Sequence, residues 1–177
     1  MADEVDVALL ERFVKGDQDA FESLFRQFER EVFGWIMRIV REPSAAEDVL
    51  VETFWRAYRG RARFDSSRSF GAWMRRIATN AALDQLAAAR RDAARRRYDV
   101  PRPEPSRAEG DVREAIHMAF RKLPAKLQIV ATLALIEEQP YAEIADALGV
   151  PVGTVKSRVF RATRALRDEL ARMGIRE

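Results

Sequence analysis

The sequence predicts an all-α protein built as two small helical domains joined by a proline-containing linker. Three observations carry that prediction. Apolar residues recur at three- and four-residue intervals nearly everywhere, and no convincing alternating strand pattern appears. Residues 99–110, DVPRPEPSRAEG, place a proline at every second position from 101 to 105. Prolines at that spacing remove backbone donors and bias the residues between them to extended geometry. Finally, residues 140–167 read as a short helix, a tight turn and a second, strongly basic helix. Domains at 1–98 and 111–177 follow, with 99–110 as a linker that reaches at most ~37 Å at about 3.1 Å per residue.

Composition narrows the functions open to such a chain. Its 177 residues are 47% hydrophobic, enough for packed cores. The net charge is only +3, so basicity is judged by location. Residues 1–31 hold nine acids against four bases, whereas arginine dominates from Arg56 onward. An acidic front and a basic remainder suit a protein partner at one surface and a nucleic acid at another. The absence of cysteine excludes disulfides, thiolate zinc sites and thiol redox sensing within these residues. No signal peptide or membrane-length apolar run is seen, so a cytoplasmic protein that does not insert in a membrane is expected.

In chain order, Leu9, Leu10, Phe13 and Val14 mark a first helix that stops near Gly16. Phe21, Leu24, Phe25, Phe28, Val32, Phe33, Ile36 and Val40 give a long amphipathic second helix, ended by Pro43. Ser44, with Glu47 three residues on, reads as a capping box opening a third helix that ends by Gly60. Residues 61–69 form a polar, arginine-bearing loop with one aromatic, Phe64. A fourth helix carries Phe70, Trp73, Met74, Ile77, Ala78 and Ala81 inward and runs into the arginines at 90–97. Beyond the linker, a helix spans Asp111 to Leu123, Pro124 breaks it, and a further segment ends near Glu138.

The stretch from Pro140 to Arg167 is the most specific signal. Ala145 is small enough for close helix approach, and Gly149 ends the first helix in the left-handed region. Pro151 fits the first turn of the next helix. At 100° per residue, Val155, Val159, Ala162 and Leu166 fall within a sector of about 60° and form a buried stripe. Ser157, Arg161 and Arg164 point the opposite way, flanked by Thr154, Lys156 and Phe160. Residues 152–167 hold five bases and no acid. Such a face suits the major groove, where Arg and Lys reach guanine edges and phosphates. The bland alternative is a solvated basic helix. Arg158 lies nearer the buried edge and is expected to touch phosphate or protein rather than bases.

No residue set supports catalysis. His117, the lone histidine, has no ligand set or triad around it, and glycine-rich phosphate loops and nucleophile elbows are absent. Neither a metal nor a cofactor is expected. Glu47, Asp48 and Glu52 form an acidic patch at helical spacing, suited either to the helix dipole or to docking a basic partner. Between residues 54 and 76, aromatics interleave with arginines, including Arg61, Arg75 and Arg76, as suits single-stranded nucleic acid. Most aromatics at helical spacing belong to a core, and Phe64 in the polar loop is the one expected outside it. Asn80 and Asp84 lie one turn apart, where an amide and a carboxylate can read a base edge.

With these pieces placed, the chain resembles the extracytoplasmic-function (ECF) sigma factors of bacterial RNA polymerase. GDQDAFESLFRQF, AAEDVLVETFWRAY, FGAWMRRIATNAALDQL, LPAKLQIVATL and YAEIADALGVPVGTVKSRVFRATRALR resemble the family's blocks in order and spacing. The resemblance implies a first domain that docks on the polymerase clamp and captures an unpaired minus-ten base. It implies a second domain that binds the minus-thirty-five element as duplex, contact with the polymerase flap, and control by an anti-sigma factor. Glu47, Asp48 and Glu52 fall in the clamp-binding block, and Phe64 and Asp65 in the base-capturing loop, with Arg76, Asn80 and Asp84 on the helix behind it. Thr154, Lys156, Ser157, Arg158, Phe160, Arg161 and Arg164 fall on the recognition helix. Val51 departs from the glutamine usual in its block, and Pro140 stands where a capping Ser or Thr is common. Two rival readings stay open: a stand-alone helix-turn-helix regulator, and a helix-turn-helix recombinase or nuclease, which would need a catalytic cluster.

Overall fold

The computed structural model describes residues 5–96 and 110–175, and the described residues form helices joined by short turns. The expected linker falls almost wholly outside them. Eight α-helices are present among the described residues: α1 (Val7–Val14), α2 (Gln18–Val40), α3 (Pro43–Gly60), α4 (Phe70–Arg96), α5 (Gly110–Lys122), α6 (Ala125–Ala131), α7 (Tyr141–Leu148) and α8 (Val152–Arg172). A single 3₁₀ turn, Arg61–Arg63, follows α3, and one π-helical turn, Thr132–Ile136, extends α6. Two compact units are distinguished: Met1–Gln85 with Ala145–Gly149, and Leu86–Ile144 with Val150–Glu177.

Local chemistry explains most boundaries. Asp6 and Asp17 cap α1 and α2, accepting from the amides of Ala8 (3.0 Å) and Ala20 (3.1 Å). Gly16 sits between them at φ +92, a conformation that costs glycine little. The start of α3 corrects the capping-box expectation. Pro43 is already helical, and the carboxylate of Glu42 accepts from Ser44 N (3.0 Å) and Ala45 N (2.6 Å). Proline's fixed φ suits the first helical position, so the cap moves two residues upstream, from Ser44 to Glu42, and Ser44 and Glu47 lie inside the helix.

The first unit is packed around aromatic rings. Phe70, at the start of α4, has ring-centroid distances of 5.6 Å to Phe13, 5.0 Å to Phe28, 5.4 Å to Phe64 and 5.7 Å to Trp73. Such pairs add about 0.5–1.5 kcal/mol each beyond the area they bury. A second cluster joins α2 to α3 through Phe25 and Phe54 (4.6 Å) and Phe21 and Tyr58 (5.0 Å). Trp35 is buried on α2 and donates from Nε1 to the Thr79 hydroxyl of α4 (2.9 Å), satisfying an indole N–H that burial would otherwise strand.

In the second unit Ala119, Leu123, Ala131, Ala162 and Leu166 form one core cluster, drawing together α5, α6 and α8. Lys122 and Arg172 both pair with the carboxylate of Glu169, which is buried on α8. The Lys122 hydrogen bond is the larger cause holding the Glu169 carboxyl below its ordinary range.

Candidate nucleic-acid interface

The helix-turn-helix has the local geometry its residues dictate. Gly149 adopts φ +62 at the end of α7. Pro151 stands one position earlier than expected, just before α8, where its carbonyl accepts from Thr154 N (2.8 Å) and Val155 N (3.3 Å). Pro140 precedes α7 in the same manner, its carbonyl accepting from Ile144 N (3.1 Å). Val155, Val159, Ala162 and Leu166 are all buried, as the stripe requires. Lys156, Ser157, Phe160, Arg161 and Arg164 are exposed, whereas Thr154 and Arg158 are half-buried at the edge.

Hydrogen bonds orient this face. The Ser157 hydroxyl donates to the Thr154 carbonyl (3.0 Å), which leaves its oxygen lone pairs outward as acceptors. Arg161 Nε donates to the Ser157 carbonyl (3.3 Å), so the guanidinium leans back toward the N-terminal half of α8. That half is the part of a recognition helix that meets base edges.

The loop and helix that follow α3 hold the other expected nucleic-acid residues, and here two expectations are corrected. Phe64 is 6% exposed and packs on Trp73 (4.8 Å) as well as Phe70. It is a core residue, because the 3₁₀ turn folds the loop back onto the start of α4. Its neighbour Asp65 is exposed, but its carboxylate is engaged by the loop itself. Oδ1 accepts from the Ser67 amide (3.0 Å) and hydroxyl (2.6 Å), and Arg68 Nε lies 3.3 Å from Oδ2. The Ser67 hydroxyl and amide, before Arg68, hold this carboxyl below its usual value. Arg61 also leaves the expected basic surface. Its guanidinium stacks 4.3 Å from the Tyr58 ring centroid, donates to the Tyr58 carbonyl (2.7 Å) and lies where a Cβ on Gly16 would project.

Arg76, Asn80 and Asp84 are exposed on successive turns of α4. Arg56 of α3 donates from Nη1 to Asp84 Oδ2 (2.7 Å) and from Nε to Glu52 Oε1 (2.7 Å). One guanidinium therefore holds an acid of the expected docking patch and an acid of the expected base-reading pair. Glu47, Asp48 and Glu52 share the exposed side of α3 with Val51 (69% exposed) and Trp55 (53% exposed). The patch thus has acids around an apolar centre. The sequence signal for it was Val51, an apolar residue two positions off the buried stripe.

His117 is exposed, and no group of three potential metal-ligating side chains occurs among the described residues. Nor is any helix there long and apolar enough to cross a membrane.

Comparison with known proteins decides between the readings left open by the sequence. The model for Sigma-70 region 2 matches residues 24–92, and that for Sigma-70, region 4 matches residues 113–166. The RNA polymerase sigma-H factor of Pseudomonas aeruginosa is 32% identical over 94% of this chain and 94% of its own length. The chain belongs to the ECF sigma factors. Relatives of this kind include the ECF RNA polymerase sigma factor SigW of Bacillus subtilis, 32% identical over 88% of this chain and 91% of its own. Among solved structures, CnrH in complex with the cytosolic domain of CnrY is 26% identical, with a TM-score of 0.55 over 94% of this chain and 97% of that one. The sigma factor RpoE of Bartonella quintana, solved with the anti-sigma factor NepR, shares the fold at TM-score 0.53 and 22% identity over 85% of this chain and 96% of that one. As an ECF sigma factor the chain is an alternative transcription-initiation factor. A stand-alone regulator is not favoured, since the match to region 2 occupies the part that such a regulator would use for sensing or dimerisation.

Proposed function

We propose that this ECF sigma factor divides promoter recognition between two halves, residues 1–98 and 111–177, working with core RNA polymerase in the cytoplasm. The observation that carries the reading is the outer face of α8: exposed Lys156, Ser157, Phe160, Arg161 and Arg164 opposite a fully buried stripe. Residues 24–92 and 113–166, matched by separate family models, support the division at the proline-rich stretch between them.

In this reading α8 enters the major groove of the minus-thirty-five duplex. Arg161 and Ser157 face base edges, and Thr154, Lys156, Arg158 and Arg164 meet bases or phosphates according to their place on the helix. Arg76, Asn80 and Asp84, with Asp65 in the adjoining loop, handle the unpaired minus-ten strand. Phe64 contributes there by holding that loop in place rather than by stacking on a base. Melting is then an exchange, in which stacking and pairing are lost and an extruded base gains contacts in the protein.

Glu47, Asp48 and Glu52 dock on the polymerase clamp, with Val51 and Trp55 supplying the apolar centre that protein interfaces favour. The second half meets the polymerase flap. An anti-sigma factor, of the kind that NepR is for RpoE, holds the protein inactive until a signal arrives.

Run-off transcription with purified core polymerase tests the whole reading. Adding the protein is expected to give transcripts from specific promoters of its own genome, and no promoter-specific product on any such template would refute it. At residue level, Asn80→Ala is expected to spare duplex binding while weakening capture of a single-stranded minus-ten oligonucleotide. Unchanged oligonucleotide affinity would remove Asn80 from the site.

A further inference from the structure

Phe160 is the anomaly of the recognition helix. It is 69% exposed, on the side of α8 that carries the charge, while the helix already has a complete apolar stripe on its opposite side. At 100° per residue, Gly153, Ser157, Phe160 and Arg164 fall within one sector about 60° wide, opposite Val155, Val159, Ala162 and Leu166. The two members nearest the start of the helix are small. A Cβ built on Gly153 would meet nothing within 4 Å. Side chains on a helix lean toward its N-terminus, so the phenyl ring lies over the turn bearing Lys156 and Ser157. The face therefore presents a low shelf, rimmed by cations, with one large apolar group on it.

We infer that Phe160 is a specificity-determining residue that reads the 5-methyl group of a thymine in the duplex element. This rests on the major-groove reading of α8 proposed above and names a base feature that α8 selects. A phenyl ring has neither donor nor acceptor suited to the hydrogen-bonding code of base edges. The apolar group that the four bases offer in the major groove is the thymine methyl. Lys156, Arg161 and Arg164 hold the helix to phosphates and base edges around it, so the ring is pressed onto the groove floor rather than left in solvent. Burying the methyl against the ring rewards thymine. A cytosine in its place would set a polar amino group against an apolar surface with no hydrogen-bond partner.

The test uses the full chain assembled with core polymerase, which first selects duplexes from a library randomised across the minus-thirty-five register. Each thymine of the selected duplex is then exchanged for deoxyuridine, which removes the methyl and leaves every hydrogen-bonding group. At one thymine, the wild-type complex is expected to lose about three- to tenfold in affinity, the scale of one buried methyl. Phe160→Ala is expected to bind the methylated duplex with the same deficit and to be indifferent to the exchange there. Phe160→Leu, which keeps an apolar side chain, should retain most of the sensitivity. Because the ring is exposed, neither variant should alter the thermal unfolding of the protein. Equal sensitivity of wild type and Phe160→Ala at every thymine overturns the inference. So does a selected element without thymine, or a Phe160→Ala defect confined to polymerase binding. If no sequence is selected at all, the major-groove reading of α8 fails and this inference fails with it. A selected sequence with no Phe160-dependent methyl effect removes Phe160 alone.

Discussion

Two phenylalanines, Phe64 and Phe160, show how little residue type says about role. Phe64 lies in a polar loop and is buried between Phe70 and Trp73, while Phe160 lies on a regular helix and stands in solvent. Phe64→Ala is therefore expected to destabilise the first unit by about 3–5 kcal/mol, the cost of emptying a packed aromatic site. Chemical denaturation measures this, and a loss below about 1 kcal/mol would return Phe64 to the surface. Arg161 makes the opposite case. It has no structural task beyond its bond to the Ser157 carbonyl, so Arg161→Ala should leave the unfolding midpoint unchanged. The same substitution should cost about 1–3 kcal/mol of duplex binding and relax base preference at one position. A uniform loss across unrelated sequences would make it a phosphate contact instead. Local pattern could not separate these residues, because Phe64 is buried by the return of the chain onto α4, a contact that no spacing within residues 61–69 encodes.

At the scale of the element, helices were legible wherever one periodic stripe met a clear stop signal. The α8 stripe and the left-handed turn at Gly149 follow directly from residue spacing and the missing Cβ. What the pattern misjudged were decisions between neighbours competing for one task. Glu42 rather than Ser44 caps α3, because proline at 43 already fills the first helical position. Trp35 lies on the buried α2 face, three residues after Val32 and four before Ile39, but the acceptor that satisfies its N–H, Thr79, is forty-four residues away and invisible to local pattern. Glu169 was equally hidden, since a carboxylate in the α8 pattern gives no sign of a lysine waiting on α5. Its carboxyl is held below its ordinary value by Lys122 first. A depressed carboxyl contributes stability that is present above its unfolded-state pKa and lost as pH falls through the folded one. The wild-type unfolding midpoint should therefore fall between about pH 6 and pH 3, and Glu169→Gln should flatten that dependence. Parallel pH profiles of the two proteins would show the pair to be inert.

At the scale of the whole molecule, the two proposed DNA sites are expected to act independently. The α8 face proposed to read the minus-thirty-five duplex and the α4 residues proposed to handle the opened strand belong to separate units, and in that proposal they address DNA in different states. Roughly two helical turns of duplex, about 70 Å, separate the elements they would read. If the sites are held at that spacing when bound and share no partners, they are expected to contribute additively, within about 0.5 kcal/mol. The variant Arg161→Ala/Asn80→Ala, assembled with core polymerase, should then lose the sum of the two single losses in open-complex stability on one promoter. The singles should also divide by step, Arg161→Ala weakening the initial closed complex and Asn80→Ala slowing strand opening after it. Both properties follow if each half does its own work and polymerase holds the halves in register. A double variant no worse than the weaker single would mean that the residues act in one step. In that case the two-site division, rather than either residue, would be the error.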